Sequence, residues 1–149
     1  MINKRRKSRE VALRALYAHE MSGNEAGLII QQVITSSSEE EKVKDFASAL
    51  FKTCTDNPKE IEKYIVHQAH NWDFDRIAII DKLIMRMAIC EFLYFDDIPP
   101  KVSIDEAIEV SKKYSTEKSG HFINGILDGI LAHLKKDGLL KKSGRGLNE

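Results

Sequence analysis

A group of basic residues near the start of the chain has the chemistry to hold a polyanion: Lys4, Arg5, Arg6, Lys7 and Arg9. Arginine can bind a phosphate through two N–H groups and can also stack on a planar base, whereas lysine offers a compact point charge. The chain has 23 basic and 23 acidic residues, so acidic surface elsewhere must offset this group. A chain that is basic at both ends and acidic between can hold a polyanion on one surface and a basic partner on another.

Other side chains that could do chemistry have simpler structural explanations. His67 and His70 are three residues apart, a spacing that can bind metal, but no cysteine or acidic third ligand accompanies them. Asp96 and Asp97 are adjacent carboxylates that we expect to end a helix in a solvated loop. The sequence contains no glycine-rich phosphate-binding loop. We therefore predict that the protein is not an enzyme and holds no metal and no cofactor.

Length and composition predict one cytoplasmic domain over residues 1–149. Cys54 and Cys90 lie far apart in apolar stretches, as expected for reduced and buried thiols. No apolar run approaches the roughly 18 residues that span a bilayer, so we expect no membrane association. The basic start lacks the cleavage pattern of a signal peptide. We expect a basic arm over about residues 1–8 and a mobile tail over about residues 139–149.

Apolar residues recur at helical spacing through the whole chain. The predicted helices are Val11–Gly23, a weaker one at Glu25–Ile34, Ser38–Asp56, Pro58–His70, Ile77–Phe95, one from Ser103 and one from Ser119. Ser38 and Ser103 are each followed three residues later by glutamate, which indicates a capping box. Gly125 and Gly129 share one face of the last helix, where another helix could approach closely. The sequence therefore predicts an all-α, compact bundle of about seven helices, the one near residues 77–95 being the most buried.

Three blocks of the sequence together form a specific signature. They are Arg9–Tyr17 (REVALRALY), Ile98–Glu109 (IPPKVSIDEAIE) and Ser119–Asp128 (SGHFINGILD). In order and spacing they resemble the NusB family of bacterial transcription antitermination factors, and the resemblance covers most of the chain. It implies seven helices packed as two small bundles and no enzyme activity.

The resemblance also implies partners. Proteins of the family pair with NusE, a ribosomal protein of the small subunit, and bind the boxA stretch of single-stranded nascent RNA with it. Together they help the elongating RNA polymerase complex to pass terminators during ribosomal RNA synthesis. For this chain the resemblance places Tyr17 and Asp81, with Asp75 nearby, toward the protein partner. The alternative is that Tyr17 belongs to the core and the two aspartates are helix-start charges.

The resemblance further places Phe122 at the RNA surface, although helical spacing alone favours a core position. Ser119 and Gly120 would offer backbone N–H groups of a helix start to a phosphate, and Lys101 could add a contact. Asn124 either binds a base edge or satisfies buried backbone groups. The predicted RNA-binding residues are thus Lys4, Arg5, Arg6, Lys7, Arg9, Lys101, Ser119, Gly120, Phe122 and Asn124.

Several positions depart from the pattern of the family: Ser8, Arg14, Asp105, Lys118 and His121. They bear on RNA affinity and sequence preference and leave the predicted fold intact. Two other functions stay open at this point. One is an RNA-binding helical module similar to those joined to RNA cytosine methyltransferases, and the other is a helical scaffold that binds only protein. The oligomeric state also stays open.

Overall fold

The computed structural model describes residues 4–70 and 74–148, which form helices joined by short loops. The α-helices of these residues are α1 (Lys4–Ser22), α2 (Ala26–Ile29), α3 (Glu41–Asp56), α4 (Pro58–Gln68), α5 (Ile79–Tyr94), α6 (Pro100–Tyr114) and α7 (Glu117–Lys136). A π-helix at Ile30–Thr35 and short 3-10 helices at Phe74–Arg76 and Gly144–Leu147 complete the described elements, which include no strand. The all-α prediction is confirmed. The chain divides into two compact units, residues 1–57 and 58–149.

In the first unit α1 packs against α3, and α2 and the π-helix contact α1. The apolar core of this unit is fully covered: Val11, Leu13, Leu16, Ile29, Ile34, Val43, Leu50 and Phe51. Ser8 ties the two long helices together, because its hydroxyl donates to the carbonyl oxygen of Val43 at 2.8 Å. Gly23 ends α1 as predicted, with a φ of 71° that favours glycine after a helix.

In the second unit α5 contacts α4, α6 and α7. Its buried residues lie nearly all round the helix, so the prediction that this is the most buried helix is confirmed within the unit. A Cβ added at Gly129 would overlap the side chain of Gln68, so α4 and α7 approach closely there. Gly125 faces open space, so the predicted close approach occurs at only one of the two glycines. Cys54 and Cys90 are free, buried thiols, as predicted.

Both predicted capping boxes are wrong. Helix α3 begins at Glu41 after Glu40, so Ser38 lies too early in the chain to cap it. Helix α6 begins at Pro100 because proline at a first helical position already has a helical φ. Ser103 therefore lies inside α6, where its hydroxyl donates to Oε1 of Glu91 at 2.7 Å. The preference of proline for the first turn of a helix also predicted correctly that α4 begins at Pro58.

The C-terminal segment that was expected to form a mobile tail makes specific contacts with the end of α5. Lys142 Nζ donates to the carbonyl oxygens of Glu91 at 2.8 Å and Phe95 at 2.7 Å. The backbone N–H of Ser143 donates to the carbonyl oxygen of Asp96 at 3.1 Å. The same two carbonyl oxygens each accept a backbone N–H at 3.2 Å, from Phe95 and Ile98 respectively, so the ammonium group of Lys142 adds a second donor to each and ties the segment to the end of α5.

Within the described residues, none of the helices combines the length and the apolar character that crossing a membrane requires.

Candidate functional site

The predicted RNA-binding residues at the start of α1 lie in the first unit, and we call them the basic start: Lys4, Arg5, Arg6, Lys7 and Arg9. Arg5 and Arg9 are one helical turn apart, so both side chains reach Phe46 on α3. The guanidinium carbons lie 4.5 Å (Arg5) and 5.5 Å (Arg9) from the centre of the Phe46 ring. Cations at this distance from a ring face are attracted by its quadrupole. Phe46 therefore helps to fix the direction of two arginines.

The lysines of the basic start pair with glutamates that precede α3. Lys4 Nζ lies 3.2 Å from Oε1 of Glu40, and Lys7 Nζ lies 3.9 Å from Oε1 of Glu39. In the first pair the side chains are 57% and 61% exposed. Exposed pairs contribute only about 0–1 kcal/mol and weaken in salt. A phosphate can therefore replace these glutamates at little cost.

Burial divides the basic start into two parts. Lys4 and Arg5 are exposed, and Arg6 and Lys7 are half-buried. Arg9 is only 3% exposed. This leaves Arg9 little surface for RNA, and its geometry instead gives it the role of supporting Phe46.

A polar cluster in the second unit joins the first turn of α5 to the start of α7, and we call it the serine network: Asp81, Ser115, Thr116 and Ser119. The hydroxyls of Ser115 and Ser119 donate to the two carboxylate oxygens of Asp81, each at 2.8 Å. Thr116 is the N-cap of α7 and accepts the backbone N–H of Ser119 on its hydroxyl at 3.2 Å. A carboxylate near helix N-termini also interacts favourably with the partial positive charge of the helix dipoles there. The network thus fixes where α7 begins.

The serine network changes what the start of α7 can offer to an anion. The backbone N–H groups of Ser119 and Gly120 both donate to the carbonyl oxygen of Thr116, at 3.1 and 3.4 Å. These groups are therefore used within the helix start, contrary to the expectation that they point outward. Asp81 is 6% exposed and both of its oxygens accept hydrogen bonds, so it has little surface for a protein partner.

The remaining predicted residues on α7 lie one turn farther along. Phe122 is half-buried, while its neighbour Ile123 is fully buried in the core. Asn124 lines a cleft of about 320 Å³ between α6 and α7. The residues around this α7 cleft are Ile108, Lys112, Glu117, Gly120, His121 and Asn124. The structure therefore brings two predicted residues, Gly120 and Asn124, to one concave surface.

Three predicted residues stand apart from these clusters. Lys101 is the exposed second residue of α6. Tyr17 is 41% exposed on α1, so it is not a core residue. Asp75 is exposed in the 3-10 helix Phe74–Arg76.

No sequence pattern singles out Phe46, Lys112 or Ser115, which the structure places at these clusters. Helical spacing along the sequence gives Phe46 an inward-facing position on α3, and no local pattern shows that two arginines from another helix contact its ring. Ser115 follows the last turn of α6, and its link to Asp81 crosses 34 residues. His121 was noted only as a departure from the family pattern, although it lines the α7 cleft. Within the described residues there is no group of side chains suited to a metal ion.

Comparison with known families decides which protein family this architecture represents. The profile of the NusB family matches residues 6–132. The chain belongs to the NusB family. The "Transcription antitermination protein NusB" of Chloroherpeton thalassium is 46% identical over 152 residues, covering 99% of this chain and 70% of the relative. The protein of the same name from Salinibacter ruber is 42% identical over 147 residues, covering 98% of this chain and 92% of the relative.

Solved structures of NusB proteins share the fold. A T. maritima NusB structure has a TM-score of 0.79 at 34% identity, covering 89% of this chain and 93% of that one. A structure of the antitermination factors NusB and NusE in complex with dsRNA has a TM-score of 0.79 at 23% identity, covering 89% of this chain and 99% of that one. NusB proteins are transcription factors and not enzymes, as predicted. The family match ends at residue 132, before the end of α7 and the C-terminal tail.

Proposed function

We propose that this protein is a transcription antitermination factor that binds boxA-type single-stranded RNA together with the ribosomal protein NusE. The observation that carries the proposal is its 46% and 42% identity, over nearly its whole length, to proteins named for transcription antitermination. A protein of the same fold, at 23% identity, has been solved in complex with NusE and dsRNA. We further propose that the complex acts on elongating RNA polymerase in the cytoplasm and promotes read-through during ribosomal RNA synthesis.

The basic start supplies the main phosphate contacts in this proposal. Lys4 and Arg5 are exposed, and the ion pairs of Lys4 and Lys7 are of the kind that a polyanion displaces easily. Arg5 is held against Phe46, so less side-chain freedom is lost when it binds. Arg9 supports this arrangement from a buried position.

The start of α7 supplies the second RNA contact. Phe122 keeps part of its ring surface accessible for stacking on an unpaired base. Asn124 and Gly120 line the α7 cleft beside Lys112 and His121, where a base edge can meet polar groups. Ser119 acts through the serine network, which holds the first turn of α7 in place.

The protein partner is expected to use other residues. Tyr17 and Asp75 are exposed and suit direct contacts with a basic ribosomal protein. Asp81 is buried, so we propose that it affects this interaction indirectly, by ordering the helix start to which Ser119 belongs.

A binding titration tests the proposal. Labelled boxA-type RNA, a scrambled strand of equal length and a duplex are each titrated with the protein, with and without NusE, at several salt concentrations. We expect the boxA strand to bind most tightly, with an affinity that falls as salt rises. NusE should tighten RNA binding, and RNA should tighten NusE binding by the same factor. Equal affinity for all three RNAs in the presence of NusE would overturn the proposal.

A further inference from the structure

A second cleft, of about 210 Å³, lies where the C-terminal tail meets the start of α6 and the end of α7, and we call it the tail cleft. Its lining residues are Pro100, Lys101, Leu131, Lys135, Leu140, Lys142, Gly146, Leu147 and Asn148. Among these described residues three are lysines and none is acidic. In a chain with zero net charge this is a concentrated positive site.

Two of the three lysine side chains have no polar partner among the described residues. The side chains of Lys101 and Lys135 make no hydrogen bond and no ion pair with the described part of the chain. The ammonium group of Lys142 donates two of its three N–H groups to the carbonyl oxygens of Glu91 and Phe95. Burial lowers the pKa of Lys142, and the nearby carboxylates oppose this only in part. A bound anion would therefore favour the charged form of a lysine that is already held in place.

The rest of the tail cleft is mostly apolar. Leu131 is buried at its base, Leu140 is half-buried, and Leu147 is 67% exposed. Covering an exposed leucine removes apolar surface from water, so a ligand that reaches Leu147 gains affinity. The cleft is smaller than the roughly 300–1,000 Å³ of pockets that take drug-sized ligands, so it suits one small, flat group.

We propose that the tail cleft binds one nucleotide of the RNA strand that this protein holds, with the phosphate between Lys101 and Lys135 and the base against Leu147. The inference rests on the proposed function, because it needs RNA on the protein. Asn148 lines the same cleft, and an asparagine amide can pair with a base edge. Most of the lining residues follow residue 132, beyond the part of the chain that the family profile matches, so the profile match does not imply this subsite.

Matched pairs of variants test the subsite in the full chain. Lys135→Ala is compared with Lys136→Ala, its exposed neighbour outside the cleft. Leu147→Ser is compared with Leu139→Ser, an exposed leucine that also lies outside the cleft. Circular dichroism and thermal melting verify that all four variants fold. Affinity for single-stranded RNA is then measured across a series of salt concentrations.

We expect Lys135→Ala to reduce the slope of log affinity against log salt by about 0.7, the value for one phosphate contact of a single strand, while Lys136→Ala leaves it unchanged. Leu147→Ser should weaken binding by about threefold to tenfold, since apolar surface stays in water, while Leu139→Ser has no effect. Equal behaviour within both pairs would overturn the subsite.

Two further outcomes separate the subsite from the alternatives. If the wild-type protein binds RNA and substitutions in the basic start flatten its salt dependence, but both cleft variants behave like their controls, then only the subsite fails. If the wild-type protein shows no salt-dependent RNA binding, then the proposed function fails. Calorimetry with AMP and UMP addresses a free nucleotide as occupant. Binding of either that Lys135→Ala abolishes, with RNA affinity untouched, would overturn RNA as the ligand.

Discussion

The basic start of α1 and the serine network at the start of α7 use charge in opposite ways. In the basic start every cation except Arg9 is at least partly exposed, and the glutamates that pair with Lys4 and Lys7 also keep part of their side chains in solvent. In the serine network the charged group is a buried carboxylate, and hydroxyls that belong to the same unit occupy both of its oxygens. The first arrangement can exchange its partners for a ligand, whereas the second cannot do so without losing its own structure.

This difference separates residues that set the affinity for RNA from residues that position a helix. Exposed cations strengthen RNA binding in a way that depends on salt, and they contribute little to the free energy of unfolding. A buried carboxylate that accepts hydrogen bonds from two hydroxyl groups stabilises the folded protein and fixes a helix start. We therefore expect substitutions in the basic start to change RNA binding, and substitutions in the serine network to change stability first.

Removal of the carboxylate from the serine network should have the largest effect. Asp81→Ala should lower the free energy of unfolding by about 2–4 kcal/mol, because the half-buried hydroxyls of Ser115 and Ser119 lose a charged acceptor. Asp75→Ala, at an exposed aspartate, should change it by less than about 0.5 kcal/mol. Denaturant unfolding measures both. An unchanged stability combined with weaker NusE binding would assign Asp81 to the partner interface instead.

Removal of three cations from the basic start should act on RNA binding alone. Changing Arg5, Arg6 and Lys7 to alanine should reduce the salt slope of RNA binding by about 2, since each lost contact with a single strand contributes about 0.7. The control changes three exposed lysines elsewhere to alanine: Lys52, Lys59 and Lys136. The prediction fails if both triple variants show the slope of the wild-type protein.

Phe122 and Ile123 are adjacent on α7 and allow a direct contrast. Phe122→Ala should weaken RNA binding by about 1–3 kcal/mol, the range for one base stacked on an aromatic ring. Ile123→Ala removes a fully buried side chain, so it should cost about 2–5 kcal/mol of stability. Titration and thermal melting of both variants distinguish a stacking residue from a core residue. If Phe122→Ala loses stability and keeps its RNA affinity, then Phe122 belongs to the core.

The smallest effect is expected from Phe46. Phe46→Leu keeps an apolar side chain but removes the ring on which Arg5 and Arg9 lie. We expect RNA binding to weaken by about 0.5–1 kcal/mol, the contribution of an exposed cation–π pair. A double-mutant cycle with Arg5→Ala isolates this contribution. Additive effects of the two substitutions would show that the ring does not act through Arg5.

The sequence by itself determined the helical class, the family and the approximate helix boundaries, although α1 begins at Lys4 and not at the predicted Val11. Helical spacing of apolar residues persists through the chain, and local signals such as Gly23 and Pro58 act within a few residues of the helix ends that they define. The family signature depends on residue order along the chain. The capping-box predictions at Ser38 and Ser103 were wrong. A serine followed three residues later by glutamate also occurs shortly before a helix start, as at Ser38, or inside the first turn, as at Ser103.

Only the tertiary structure decided which polar residues are accessible. Arg9 and Asp81 are charged and were predicted to bind RNA and the protein partner, yet both are buried. Their partners lie more than 30 residues away along the chain, in other helices or in the α6–α7 connection: Phe46 for Arg9, and Ser115 with Ser119 for Asp81. Sequence spacing describes neighbours on one helix, whereas burial and hydrogen bonding depend on which helices pack together. For this reason the type of each residue was readable from the sequence, but its role was not.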